Sequence, residues 1–231
     1  MLGEVQIEGA RGSVDSGRAR KLSELAAYLV LCPGKSTAAL TADIWPYGTT
    51  MVNRNVSVTR LRAWLGRDEA GELYYPNGQD GNQFSAAVGC DLFQFRALHE
   101  RGARARRAGD LDEATTYFEA ALSLVRGRPF ASAERTGYRW AEATFPRARA
   151  EIVDAATHLA EIRMAEQAWS SAAAVAAKGM IIGPDSGDVS SGYDALLRLR
   201  LDALSRAGDV AELERLAAEQ QYSDVEQAGR G

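Results

Sequence analysis

Apolar and polar residues alternate at the start of the chain: Val5 and Ile7 stand between Glu4, Gln6 and Glu8, the two-residue period of a half-buried strand. Gly12 and Gly17 then punctuate a short sheet ending near Val14. From Arg20 to Cys32 the period lengthens to that of a helix, with Leu22, Leu25, Ala26 and Leu29 on one side and Pro33-Gly34 as the stop. Ser36 or Thr37 caps a second, shorter helix carrying Leu40, Ile44 and Trp45, and Pro46 ends it. Thr49 or Thr50 caps a third, which runs through Leu65 to Gly66. Leu73-Tyr74-Tyr75 and Gln83-Phe84-Ser85 flank a turn-rich stretch from Pro76 to Asn82, a strand–loop–strand pattern. Strands, three helices and a closing hairpin are the element order of an α+β winged helix-turn-helix domain over residues 1–90.

At about 100° per residue, Met51, Val58, Leu61 and Leu65 of the third helix fall within about 80° of one another and form a core stripe. Val52, Asn53, Val56, Ser57 and Arg60 occupy an opposite arc about 140° wide, with Thr59 at its margin. Arg62 lies just past the edge of the core stripe, and Arg54 falls inside it as a misfit of the first turn. Valines among Asn, Ser and Arg suit a helix laid in the major groove, where Arg pairs with guanine, Asn with adenine and an apolar methyl with thymine. The same pattern also suits a weakly amphipathic helix packed on both sides. The hairpin loop supplies no cation for phosphate, and Asp80 repels it; Gln79 and Asn82 offer hydrogen bonds to sugar or backbone.

Alanine marks a seam. Residues 1–90 hold 11 alanines and residues 91–231 hold 30, so an all-helical domain is expected over 91–231. Phe93 to Ala108 and Ala114 to Val125 read as a helix pair whose turn carries Asp110 and Glu113 at capping-box spacing. Asp209 and Glu212 repeat that turn 99 residues later, close to three periods of the roughly 34-residue tetratricopeptide repeat. Gly102, Ala114, Phe118 and Ala121 also have that repeat's spacing, although the long stretch from Gly137 to about Met164 and the next from Ala168 to Met180 do not keep its period. A degenerate tetratricopeptide-like superhelix is one reading, a scaffold for protein contacts, and a simple helical bundle is the other.

Charge divides at the same seam. The net −4 belongs to the second part, and residues 1–90 balance nine basic against nine acidic residues, so nucleic-acid binding would rest on a local patch. No apolar run is long enough to cross a bilayer and no leader is visible, so a cytoplasmic chain without direct membrane insertion is expected. Cys32 and Cys90 make no disulfide framework. Gly34-Lys35-Ser36 ends like a phosphate-binding loop, but the glycine that motif needs five residues before Gly34 is Leu29, so a turn is expected there. His99 and His158 each stand alone on a helix, without a ligand-spaced partner for a metal or a catalytic triad. Neither a cofactor, a metal nor an enzymatic activity is expected.

The ordered strings Arg20-Lys21-Leu22 to Leu31 with Pro33-Gly34, Leu40 to Trp45, Val58-Thr59-Arg60-Leu61-Arg62 with Leu65-Gly66, and Gly81-Asn82-Gln83-Phe84 carry a resemblance, continued by Asp91 to Phe95 and by Ala121-Leu122-Ser123-Leu124 with Arg126 to Phe130. In these the chain resembles the actinobacterial SARP-type transcriptional regulators, a response-regulator-like winged helix followed by a bacterial transcriptional activator domain. The resemblance implies sequence-specific binding of double-stranded DNA through the third helix. It also implies that the helical domain serves self-association or contact with RNA polymerase. It points to Asn53, Val56, Ser57, Thr59, Arg60 and Arg62 as DNA-binding positions, to which Thr50 at the helix start and Gln79 and Asn82 of the loop are added as further candidates. The uncharged loop keeps a second reading open: an interaction module that does not bind DNA, such as the cytoplasmic end of a larger membrane-associated protein.

Overall fold

Asp15 starts the first helix: its carboxylate accepts the Arg18 N–H at 3.0 Å, the N-cap of α1 (Ser16–Leu31). At the far end Gly34, at φ +73°, reverses the chain, and Ser36 caps α2 (Thr37–Ile44) through a bond from the Ala39 N–H at 3.2 Å. The stretch that ends like a phosphate loop is thus a turn between two helices. Thr50 caps α3 (Met51–Leu65) in the same way. The computed structural model describes residues 1–76, 83–131, 137–183 and 190–228.

Met1–Gln94 together with Leu124–Ala148 form one compact unit. Its core gathers Leu22, Leu25, Tyr28 and Leu29 of α1, Leu40 and Ile44 of α2, and Leu61 and Leu65 of α3 with Tyr75. The later segment joins this core through Trp140, whose ring meets Tyr28 edge-on at 5.0 Å, and buries Phe130 against Phe145 at 4.8 Å. Asp91 ties the amino-terminal residues into this unit, accepting from the Leu2 N–H at 3.0 Å and the Arg126 guanidinium at 2.9 Å.

The α+β winged fold is not what forms. Among the described residues there is no strand, only an isolated antiparallel bridge between Arg67 and Leu73. The alternation at the start does place Val5 in the interior, but the backbone of residues 1–3 accepts bonds from Arg126, Phe130 and Ala131 rather than joining a ladder. Arg11 and Gly12 donate to the carbonyls of Leu65 and Trp64 at the end of α3. At the expected hairpin, Tyr75 and Phe84 pack ring to ring at 5.3 Å and the Ser85 N–H reaches Tyr74 O at 2.9 Å, with no ladder beyond it. Gln79 and Asn82, with the rest of residues 77–82, lie outside the described residues.

Phe95–Ser123 and Arg149–Gly231 form the other unit. It is built from α4 (Asp91–Ala108), α5 (Leu111–Ser123), α6 (Thr144–Ala165), α7 (Trp169–Met180), α8 (Ser190–Ala207) and α9 (Val210–Ala228). Asp110 and Asp209 cap α5 and α9 by accepting the Glu113 and Glu212 N–H groups at 2.9 and 3.2 Å. Ala172, Ala173, Ala203, Leu204 and Leu216 make the core of α7, α8 and α9. Successive helices paired through capped turns fit a tetratricopeptide-like domain. Among the described residues no helix is long and apolar enough to cross a membrane.

The two histidines are not solitary once folded. His99 of α4 donates Nε2–H to Asp154 of α6 at 2.8 Å, and His158 Nε2 lies 3.4 Å from the same carboxylate. Arg106 donates to His158 Nδ1 and, at 2.7 Å, to Glu161. A neutral imidazole that accepts at Nδ1 and donates from Nε2 suits both contacts of His158. Burial is the main cause holding His158 below the ordinary imidazole value of 6.5, and the His99 hydrogen bond is the main cause holding Asp154 below 3.8. As pH falls through 6.5 the unfolded chain takes up a proton at His158 that the folded chain refuses, so stability is full above that value and declines below it. Urea-unfolding midpoints are therefore expected to be lower at about pH 5 than at about pH 7, with His158→Gln flattening the difference. Equal slopes for the two proteins would exclude this origin.

Candidate nucleic-acid interface

Helix α3 owes its register to one buried edge. Leu61 and Leu65 are fully inside, Val58 and Trp64 pack partly against them, and Gly66 ends the helix by returning its N–H to Arg62 O at 2.9 Å. The N-terminal segment crosses this end so closely that a side chain on Gly12 would strike the Ala63 carbonyl. Both features fix the helix and leave its other face open.

On that open face Val52 is 66% exposed and Val56 38%, with Asn53, Asn55, Thr59, Arg60 and Ala63 also exposed. At about 100° per residue, Val52, Val56, Thr59 and Ala63 run down its middle. Asn55 stands at one margin, and Arg60 and Asn53 at the other. Asn55 lies outside the arc drawn from sequence because that arc was centred too far toward Ser57, which is half-buried and donates its hydroxyl to Asn53 O at 2.9 Å; Ala63 falls within it. Met51, expected in the core stripe, is 69% exposed, since the first turn of α3 projects beyond the core. Tyr47, in the turn from α2 to α3, is 92% exposed.

The three guanidinium groups of α3 differ in what holds them. Arg62 donates from Nε to Tyr75 O at 3.0 Å and lies over the Tyr75 ring at 4.7 Å, which braces α3 against the loop that follows. Arg54 spends two donors on the Asn55 side chain at 3.2 and 3.0 Å. Arg60 is exposed, and among the described residues no acceptor holds it. Thr50 has its hydroxyl oxygen committed to the Asn53 N–H at 3.1 Å, so it can offer only its O–H outward. Together these place one exposed cation, two amides and a row of methyl groups on a single accessible helix face. Such a face can read base edges but holds few phosphates.

Among the described residues no group of His, Cys, Asp and Glu side chains is arranged to hold a metal ion. A search of curated proteins gave no match to the chain. The family model of the bacterial transcriptional activator domain matches residues 90–228. That match spans more than half of the chain and takes in the paired helices α4 to α9, so the protein belongs to the bacterial transcriptional activator domain family.

Proposed function

We propose that this protein is a transcriptional activator that binds double-stranded DNA through the exposed face of α3, while the helical-repeat unit meets RNA polymerase or a second copy. The observation that carries the reading is Arg60. It is an unengaged guanidinium beside Asn53 and Val56, on a helix whose other edge is locked into the core, in a chain of an activator-domain family. Asn53, Val56 and Thr59 join it as base-reading positions. Thr50 and Tyr47 supply hydroxyl donors at the helix start for phosphate, Ser57 lies at the edge of the contact, and Arg62 acts by bracing the helix. No catalytic role is assigned to any residue.

Fluorescence anisotropy with fragments selected from genomic DNA tests this. Arg60→Ala is expected to weaken binding to a selected fragment by about 1–3 kcal/mol. Because few cations face the groove, the affinity should fall only shallowly with salt, by roughly 0.9 log units per log unit of salt for each phosphate neutralised. A second reading rests on a specific observation: Val52 and Val56 are exposed on one face of α3, with Tyr47 and Met51 also exposed near its start, and such apolar exposure also suits a protein partner. Absence of binding to every fragment at low salt would select that reading.

A further inference from the structure

The face of α3 has a chemistry narrow enough to state what it reads, given the DNA-binding reading on which this inference rests. Guanine is recognised by paired donors on N7 and O6, cytosine by a carboxylate, adenine by an amide on N6 and N7, and thymine by an apolar contact to its C5-methyl. Helix α3 contains no acidic residue, so cytosine has no reader on it. Two of its three guanidiniums are spent, Arg62 on the Tyr75 carbonyl and ring and Arg54 on Asn55, which leaves Arg60 for a single guanine. The middle of the face is methyl-bearing: Val52 at 66% exposure, Val56 at 38% and Thr59. Branched apolar side chains exposed on a capped helix gain little from the fold itself and suit an apolar complement, which on DNA is the thymine C5-methyl at base-edge depth.

We infer that Val52 and Val56 are specificity-determining residues that seat on thymine C5-methyl groups in the major groove. The half-site is then one of A·T pairs centred under these two valines, with one guanine within reach of Arg60. Asn53, at the Arg60 margin, supplies the amide for an adjacent adenine. Discrimination by this face is carried by methyl burial rather than by the number of cations.

The test uses the full chain and a fragment it selects from genomic DNA, with thymines of the protected site replaced by deoxyuridine, which removes only the C5-methyl. Each contacted methyl is expected to be worth about 4-fold in Kd, so two should cost roughly 15-fold. Deoxyuridine placed only in the flanks should leave Kd unchanged. The exposed double variant Val52→Ala/Val56→Ala, which disturbs no core contact, should bind thymine and deoxyuridine sites alike. Equal affinity of the wild-type chain for both sites, with specific binding intact, overturns the inference and spares the DNA-binding reading. No specific binding to any fragment overturns both.

Discussion

Phe118→Ala is expected to lower the unfolding free energy by about 3–5 kcal/mol, against the roughly 5–15 kcal/mol that a domain normally possesses. The ring is fully buried and lies between the His99 and His158 imidazoles, with centroids at 5.9 and 5.5 Å. Gly102 of α4 approaches it so closely that a Cβ there would sit 2.8 Å from the ring, so α4 and α5 are shaped around this side chain. Relaxation cannot refill the space, because the neighbours are a polar chain of His99, Asp154, His158 and Arg106 held in fixed geometry. The variant should carry a second signature. Water admitted beside His158 removes the burial that keeps its imidazole below the ordinary value, so the acid sensitivity of stability should weaken as well. Urea unfolding at several pH values reads both effects. A loss under about 1 kcal/mol would mean that α4, α5 and α6 are held together elsewhere.

Local chemistry made the helices legible. Asp15, Ser36, Thr50, Asp110 and Asp209 all cap helices, four of the five at positions the turn residues and hydrophobic spacing had marked. The buried edge of α3 at Leu61 and Leu65 followed from its period. What local pattern could not supply is the destination of backbone hydrogen bonds. Alternation at Val5 and Ile7 is a statement about side chains, and Val5 is indeed buried. A strand also needs a neighbour, and residues 1–3 instead bond to a segment more than 120 positions away. Similarly, Tyr75 and Phe84 pack against each other without a ladder to carry them into strands.

The candidate site shows the same division. That α3 has an open face bearing Asn53, Val56, Thr59 and Arg60 is a matter of angles and could be read directly. That Arg62 is spent on Tyr75, that Arg54 is spent on Asn55, and that Met51 overhangs the core depends on where neighbouring segments end, which angles do not contain. His99 looked solitary because its carboxylate partner, Asp154, is 55 residues further on, whereas His158 has that same carboxylate one helical turn before it.

Glu24→Ala should cost about 3 kcal/mol, and Glu24→Gln about 1 kcal/mol, in the unit that carries α3. In sequence Glu24 is an ordinary helix charge. In the fold it is 5% exposed, and its carboxylate accepts the Tyr138 N–H at 2.7 Å and Lys21 Nζ at 2.8 Å. Tyr138 is itself in the left-handed region at φ +57°, a conformation that costs a non-glycine residue energy and persists only where its surroundings hold it. Alanine would leave a buried amide without its acceptor and release that strain, whereas glutamine keeps an oxygen for the amide and loses only the partly exposed Lys21 pair. Lys21 also donates to Ile44 O at 2.5 Å and lies over the Trp45 ring at 5.5 Å, so the same carboxylate helps fix the end of α2 from which the turn to α3 departs. Trp140, 5.9 Å from Tyr138 and 5.0 Å from Tyr28, reports the release by fluorescence. The expected order of urea midpoints is wild type, then Glu24→Gln, then Glu24→Ala. Coincident midpoints for wild type and Glu24→Ala would show that the Gly137–Tyr138 turn keeps its place without this carboxylate.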